Sequence, residues 1–245
     1  MGELPKKAMV LAAGLGLRLR PLTNDLPKPL LQVNGSTMLD QVLKQLEQVG
    51  VEEAVVNTHY KAEQIEQHVR QCRRPKIILS KEPELLDTGG GVKNALPKLG
   101  PAPFFVINAD LPWQDGAEPM LKRLADHFDE SKMDAMLLLA PLAKANGFDK
   151  KKGDFFLDDN GKGFGRIRRA GMPPPRPYVF ISAQLVHPRI YASIPDKIFS
   201  NNLIWDKAER AGRLYGLIHD GSCYHVGTPE DYQEANRLLA SGQGW

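Results

Sequence analysis

The first half of the chain alternates short apolar runs with amphipathic stretches. Four runs rich in apolar and β-forming residues predict buried strands, at 7–11, 54–57, 76–80 and 104–108. Apolar residues at helical spacing predict a helix from Leu39 that is closed by Gly50, and further helices at 62–69 and 91–99. Strict alternation of strand and helix is typical of right-handed crossovers. The pattern therefore predicts an α/β fold with a doubly wound, mainly parallel sheet that is covered on both faces.

The second half of the chain is less regular. Residues 150–171 are rich in Lys, Gly and Asp, and a proline-rich run follows at 173–177. We expect a small irregular lobe over the sheet here, and a final helix from Pro229 to Leu239 with Thr228 as its N-cap.

The whole chain of 245 residues is predicted to be one domain. We divide it into a core at about 1–140, a lobe with a return to the sheet at about 141–227, and a C-terminal helix at about 228–245.

Composition and charge exclude several classes of protein. A net charge of +3 is too small to indicate a nucleic-acid partner, and no RNA-binding signature accompanies the arginines at 166, 168 and 169. No apolar run approaches the roughly 20 residues that a membrane-spanning helix needs, and we expect no membrane partner. The two cysteines, Cys72 and Cys223, fit no metal-ligand spacing and are typical of a reducing cytoplasm.

The segment that follows the first strand carries the strongest chemical signal. It places four residues with little or no side chain after Leu11: Ala12, Ala13, Gly14 and Gly16. Their backbone N–H groups are open to close approach by a triphosphate. The segment lacks the Gly-Lys-Ser/Thr of a phosphate loop, and Leu19 stands where a dinucleotide fingerprint has its third glycine. By itself the spacing also fits a tight turn between a strand and a helix.

Two basic residues near this turn raise the likelihood of phosphate binding. Arg18 lies four residues after Gly14, and Lys28 lies between Pro27 and Pro29, which stiffen the loop. The string from Leu11 to Leu30 resembles the signature of the sugar nucleotidyltransferase family, in which Gly-x-Gly-x-Arg-Leu-x-Pro-Leu-Thr is followed by Pro-Lys-Pro. The resemblance implies catalytic roles for Arg18 on the departing phosphates and for Lys28 at the reacting centre.

The resemblance extends along most of the chain. Asp87-Thr88-Gly89-Gly90-Gly91 is similar to the family's nucleobase loop, which implies nucleotide contacts at Thr88, Gly89 and Gly90. Asn108-Ala109-Asp110 is similar to the metal-binding turn, which implies that Asp110 is a metal ligand and that Asn108 contacts the nucleotide.

Two further motifs lie in the second half. Gly153-Asp154-Phe155 resembles an element of the sugar-binding lobe, which implies that Asp154 contacts the sugar. His225-Val226-Gly227-Thr228-Pro229 resembles the closing motif, but the family commonly has an acidic residue at the position of His225. His225 is therefore a second metal ligand only if imidazole replaces a carboxylate there, and packing or a hydrogen bond to phosphate is the alternative.

The family resemblance implies a Rossmann-like nucleotidyltransferase fold, with a nucleoside triphosphate and a sugar-1-phosphate as partners. It implies Mg²⁺ as cofactor, with Mn²⁺ or Co²⁺ possible if His225 is a ligand. Both a monomer and a homodimer are compatible with the sequence.

Within the family, the Thr-Gly-Gly-Gly run, the short chain and Gly-Asp-Phe most resemble the uridylyltransferases that act on N-acetylmuramate-1-phosphate in cell-wall recycling. Mannose-1-phosphate guanylyltransferases and glucose-1-phosphate thymidylyltransferases are close alternatives. Two other classes stay open: a nucleotide-sugar sensor that keeps the fold without turnover, which the altered motif at His225 favours, and a Rossmann-type oxidoreductase, which Leu19 argues against.

Overall fold

A nine-stranded sheet with helices on both faces forms the centre of the computed structural model, which describes residues 3–159, 161–169 and 173–240. In chain order the strands are β1 (Lys7–Leu11), β2 (Gln32–Val33), β3 (Ser36–Thr37), β4 (Glu53–Thr58), β5 (Lys76–Lys81), β6 (Phe104–Asn108), β7 (Trp113–Gln114), β8 (Ala135–Pro141), β9 (Phe156–Asp158), β10 (Phe164–Arg168), β11 (Tyr178–Val186), β12 (Leu214–Ile218) and β13 (Ser222–Cys223). The helices are α1 (Met38–Gln48), α2 (Ala62–Val69), α3 (Asp87–Leu99), α4 (Met120–His127), α5 (Arg189–Ala192), α6 (Asn201–Arg210) and α7 (Pro229–Ala240). Within the described residues, no helix has both the length and the apolar character needed to cross a membrane.

The main sheet has the strand order β5-β4-β1-β6-β11-β8-β12-β10-β9. Its pairings make seven strands point the same way, while β11 and β10 run opposite to them. The prediction of an α/β fold with a mainly parallel sheet is confirmed. The four strands predicted in the first half are β1, β4, β5 and β6, and they lie side by side because each is joined to the next by a crossover.

Side chains alternate between two apolar layers on the faces of this sheet. Along β1, Ala8 and Val10 pack in the layer that contains α1, α2 and α4, whereas Met9 packs in the layer that contains α3, α5 and α6. All three are fully buried, as expected for a central parallel strand that is covered on both faces.

Two predictions about elements need correction. Helix α3 begins at Asp87, four residues before the predicted start, so the glycine-rich segment forms the first turn of the helix and is not a loop. The N–H groups of Gly89 and Gly90 both donate to the carbonyl oxygen of Phe199, at 2.8 and 2.9 Å. This contact with a distant part of the chain offsets the low helix propensity of glycine. The second half is also more regular than its composition indicated, because β9, β10, β11 and β12 all extend the main sheet.

The C-terminal helix packs against the segment that carries the predicted phosphate-binding residues. A third apolar cluster joins Leu239 and Ala235 of α7 to Leu19 and Leu31. The predicted cap is confirmed: Thr228 Oγ1 accepts from the N–H of Asp231 at 3.2 Å, and the Asp231 carboxylate accepts from the N–H of Thr228 at 3.0 Å. Helix α7 therefore supports the loop between β1 and α1 from outside.

A small second sheet supports the turn after β6. Strands β7 and β13 pair in antiparallel fashion, and the buried His219 donates from Nε2 to the carbonyl oxygen of Gln114 at 3.0 Å. The carbonyl oxygen of Pro112 accepts from the N–H of Tyr224 at 3.1 Å. These contacts hold residues 110–114 against the segment that leads to His225.

Acid should weaken the fold partly through His219. Burial lowers the pKa of this imidazole, so the native state keeps it neutral at a pH where the unfolded chain, with a pKa of about 6.5, already binds a proton. The free energy of unfolding should therefore fall as the pH drops below about 6.5 and go on falling until the native-state pKa is passed. We predict a shallower decline for His219→Gln, which keeps an N–H donor but cannot be protonated.

Urea unfolding between about pH 7.5 and 5 measures this decline. Burial also lowers the pKa of His187 and of His225, so the variant should keep part of the dependence on pH. Equal slopes in the wild type and the variant would contradict the prediction.

Candidate active site

A cleft of about 450 Å³ lies where β1, β4 and β6 end. Leu11 stands at the carboxyl end of β1, between Asn57 of β4 and Asn108 of β6. In open α/β sheets this edge is where ligands bind. The structure brings most of the predicted nucleotide, catalytic and metal residues to this cleft: Ala12, Ala13, Gly14, Lys28, Thr88, Asn108 and Asp110.

The loop after β1 is held in shape by Gly16 and Thr23. Gly16 adopts the left-handed region with φ 64°, and a Cβ atom there would lie 3.0 Å from Thr23 Cγ2. Thr23 is fully buried and donates from its hydroxyl to the carbonyl oxygen of Gly16 at 2.8 Å. Glycine at position 16 therefore shapes the turn that presents Arg18.

Arg18 is exposed at the end of this turn, while its neighbour Leu19 is buried beneath it. It makes no ion pair with a carboxylate in the described part of the chain. Its guanidinium is thus free to meet anionic oxygens from solvent.

Lys28 is the buried cation of the cleft. Its side chain is only 11% exposed, and Nζ forms an ion pair with Asp110 Oδ2 at 2.8 Å. Pro27 caps the short 3₁₀ turn that begins at Lys28, and Pro29 lies inside it, so the ammonium has a fixed position. Charge-assisted hydrogen bonds of this length are among the stronger polar contacts in proteins. An entering phosphate would compete with Asp110 for the same ammonium group.

The backbone amide of Ala12 does not have the role that we expected. Its N–H donates to Asn57 Oδ1 at 2.7 Å, so the structure corrects the expectation that it is free for a phosphate. Gly14 does fit that expectation, because it is exposed and its Cα has no neighbouring atom within 4 Å on the side where a Cβ would stand.

The glycines of α3 serve close packing instead of open donors. A Cβ on Gly89 would lie 2.4 Å from the Phe199 ring, and a Cβ on Gly90 would lie 2.3 Å from the Lys197 carbonyl oxygen. Their N–H groups are engaged by Phe199, which corrects the expectation that these amides are free for the base. Thr88 does line the cleft, and its hydroxyl accepts from the N–H of Asn201 at 2.9 Å.

Asp154 does not line the cleft. Its Oδ2 accepts from the N–H of Phe180 at 2.9 Å, next to the irregular part of β11 between Phe180 and Gln184. Burial raises the pKa of this carboxyl above its ordinary value. Asp154 therefore shapes the backbone of β11, and a contact with sugar stays a prediction.

His225 lies close to the ion pair of Lys28 and Asp110. Its Nδ1 is 3.1 Å from the carbonyl oxygen of Gly147, which can only accept, so Nδ1 carries the proton and Nε2 keeps its lone pair. Burial and the nearby charge of Lys28 lower the pKa of His225, which keeps the ring neutral near pH 7. A neutral imidazole with a free Nε2 is the form that binds metal ions.

Asp110 is the second group suited to a cation. Its side chain is 39% exposed, and it offers the hard oxygen donors that Mg²⁺ prefers. Among the described residues no three His, Cys, Asp or Glu side chains form a group that could hold a metal ion. Asp110 and His225 therefore fit an ion that takes its remaining ligands from a nucleotide or from water.

Two buried residues of the cleft were missed by the sequence reasoning. Asn57 and Glu82 are hydrogen-bonded to each other beside Ala12. A polar residue at the end of an apolar strand was the signal that could have pointed to Asn57.

Comparison with known proteins decides the family. The model for "Nucleotidyl transferase" matches residues 7–149, which include the cleft residues from β1 to the turn after β6. This chain belongs to the nucleotidyl transferase family. The position of the conserved family region thus coincides with the nucleotide edge of the sheet.

Individual members of the family are similar over the full length. The chain is 40% identical to an N-acetylmuramate alpha-1-phosphate uridylyltransferase of Caulobacter vibrioides, over 98% of this chain and 99% of that protein. A second protein of the same name, from Neisseria meningitidis, is 43% identical over 43% of this chain and 47% of its own length.

A solved structure supports the fold alone. A UDP-glucose pyrophosphorylase crystallised with UDP-glucose matches with a TM-score of 0.81 at 18% identity, over 97% of this chain and 99% of that one.

In this nucleotidyl transferase the exposed Arg18 should matter for turnover and not for folding. We predict that Arg18→Ala lowers kcat by at least about 10²-fold, which corresponds to about 2.7 kcal/mol of barrier, while the melting temperature stays unchanged. The physical reason is that the side chain has no carboxylate partner in the described part of the protein and can be removed without leaving a buried charge unpaired.

Arg20 provides the matched control, because it is equally exposed and only two residues away. Arg20→Ala should keep a near wild-type rate of pyrophosphate release. Near wild-type turnover by Arg18→Ala would show that Arg18 has no role on the phosphates.

Proposed function

We propose that this protein joins UTP to N-acetylmuramate-1-phosphate and releases pyrophosphate. Nucleotidyl transfer to a sugar-1-phosphate is the chemistry of the family and of its full-length relatives. The observation that carries the choice of substrates is the 40% identity, over almost the whole of both chains, to the Caulobacter vibrioides uridylyltransferase. We further propose a cytoplasmic reaction, in line with the two free cysteines.

The chemistry does not need a general base. The sugar phosphate attacks the α-phosphorus of the triphosphate through an oxygen that is already largely deprotonated near pH 7, since the second pKa of a phosphomonoester is about 6. The obstacle is the approach of two anions while charge develops on the departing pyrophosphate. Catalysis therefore consists of positioning and of charge neutralisation.

Two cations of the cleft suit this task. The fixed position of Lys28 suits the reacting phosphate, where a preorganised charge gives the most stabilisation. The exposed Arg18 suits the departing β- and γ-phosphates, which carry most of the developing charge. Gly14 leaves room beside them for close approach of the phosphates to the backbone.

A divalent ion fits beside Asp110 and His225. Bound there, Mg²⁺ would neutralise nucleotide oxygens and fix their orientation. Asp110 would hold it through a carboxylate oxygen, and His225 would supply Nε2 or would contact phosphate. The ion would also change the electrostatic surroundings of Lys28, which shares Asp110.

We predict that activity requires a divalent ion and that Asp110→Asn abolishes it. His225→Asp should lower the Mg²⁺ concentration for half-maximal rate, because a carboxylate adds a negative charge and a hard oxygen where imidazole offers neither. Titrating Mg²⁺, Mn²⁺ and Co²⁺ against the wild type and both variants measures this. Melting temperatures separate a metal effect from loss of the ion pair between Lys28 and Asp110.

Two results would contradict this assignment of the metal site. Full activity of Asp110→Asn would show that the ion is held elsewhere. An unchanged Mg²⁺ requirement in His225→Asp would show that position 225 does not face the ion.

A substrate grid tests the reaction itself. Each of UTP, GTP, dTTP and CTP is combined with N-acetylmuramate-1-phosphate, mannose-1-phosphate and glucose-1-phosphate, and pyrophosphate release is measured. We predict the highest kcat/KM for UTP with N-acetylmuramate-1-phosphate. A clear preference for GTP with mannose-1-phosphate would overturn the proposed substrates, and binding without turnover in every combination would favour a nucleotide-sugar sensor.

A further inference from the structure

Two buried polar side chains connect the walls of the cleft. Asn57 stands near the end of β4 and Glu82 directly follows β5, and their exposed fractions are 3% and 4%. Both line the cleft. A buried carboxylate is costly unless its oxygens are hydrogen-bonded, so its partners define its role.

The pair completes a continuous chain of three hydrogen bonds. Ala12 N–H donates to Asn57 Oδ1 at 2.7 Å, Asn57 Nδ2 donates to Glu82 Oε1 at 2.7 Å, and Leu86 N–H donates to Glu82 Oε2 at 3.1 Å. Because the Ala12 amide can only donate, the oxygen of Asn57 must face it, and the amino group must face Glu82. The orientation of every group in the chain is therefore fixed.

The ends of this chain are the two loops that enclose the cleft. Ala12 begins the loop that leads to Gly14 and Arg18. Leu86 directly precedes α3, whose first turn contributes Asp87 and Thr88 to the cleft. The side chains of Asn57 and Glu82 thus link loops that are more than 70 residues apart in sequence.

Gly91 leaves the space that the pair occupies. A Cβ at this position would lie 2.7 Å from Glu82 Oε1 and 2.9 Å from Asn57 Nδ2. The third glycine of the run therefore has a role of its own, distinct from that of Gly89 and Gly90, which pack against residues 197–199.

We propose that Asn57 and Glu82 are positioning residues that set the spacing between the loop after β1 and the first turn of α3, and thereby the affinity for the nucleotide. The inference rests on the proposed function, since it takes the cleft to be the nucleotide site. Neither residue needs to touch the reacting atoms. The sugar phosphate should be affected little, because the chain of hydrogen bonds includes no residue assigned to it.

Exchanging the two functional groups tests this proposal. In Glu82→Gln one carboxylate oxygen becomes an amino group, which faces the N–H of either Asn57 or Leu86, so one hydrogen bond is lost. In Asn57→Asp two carboxylates face each other. The double variant N57D/E82Q restores all three hydrogen bonds with their direction reversed at the central one, and it keeps a single negative charge.

We expect each single variant to raise KM and Kd for UTP by at least about tenfold, as the loss of a buried hydrogen bond implies. The KM for the sugar-1-phosphate should change by less than about twofold, and the double variant should return the UTP values to within about threefold of wild type. Kd comes from calorimetric titration with UTP, and KM from pyrophosphate release.

Asp134→Asn is the matched control for general destabilisation. Asp134 directly precedes β8, at the opposite edge of the sheet, and accepts from Arg189 Nε at 2.7 Å and from Arg213 Nε at 2.9 Å. It should lower the melting temperature without changing KM for UTP. The positioning role is overturned if the single variants change UTP binding no more than Asp134→Asn does, or if the double variant fails to recover.

The test is separable from the proposed function. A wild-type protein that is inactive with UTP but binds and uses another triphosphate overturns the choice of UTP, and the same variants are then measured with that triphosphate. The loss of nucleotide affinity in the single variants and its recovery in the double variant are expected there as well. Absence of both changes overturns the positioning role whatever the base.

Discussion

Strand β1 lies between β4 and β6, and the place where it ends decides which groups can meet in the cleft. Because the three strands are parallel and in register at Leu11, Asn57, Asn108 and the loop after β1 all leave the sheet at one level. A shift of one residue in β1 would turn its side chains to the opposite faces and move the loop away from Asn57. The full burial of Ala8, Met9 and Val10 on both faces makes such a shift very costly.

The charges of the cleft are arranged around the same edge. Lys28 is largely buried and would be costly to keep charged without Asp110 at 2.8 Å. This ion pair holds the ammonium in place while the cleft is empty, and a triphosphate can replace the carboxylate as its partner. A cation held in advance needs little reorganisation when the substrate arrives, which is how fixed charges contribute to phosphoryl chemistry.

The parts of the fold that periodicity determines were predictable, and the parts that depend on distant contacts were not. The strand Lys7–Leu11 and the helix Ala62–Val69 have the predicted bounds, because their apolar residues recur at the period of the element. The start of α3 was misplaced because glycines near a helix end read as a loop, and only the carbonyl of Phe199 makes them helical.

The same distinction holds for the site. Lys28 and Asp110 were found from their motifs, and the structure brings them into contact across 82 residues of sequence. The engagement of the Ala12 amide by Asn57 could not be predicted, since it depends on the exact pairing of β1 with β4. Backbone donors are visible in a sequence, but whether another side chain already occupies them is decided by tertiary structure.

The loop between β1 and α1 has little regular structure of its own, since it consists of short 3₁₀ turns and the two-stranded ladder of β2 and β3. Its order comes from neighbours: Tyr60 Oη donates to the carbonyl oxygen of Thr23 at 2.8 Å, and Tyr232 Oη of α7 donates to that of Gln32 at 2.7 Å. Helix α7 is the last element of the described chain, and it follows directly on the segment of His225. The phosphate-binding loop can therefore reach its final geometry only after the C-terminal helix has packed, which makes an ordered active site a property of the complete fold and not of the amino-terminal half alone.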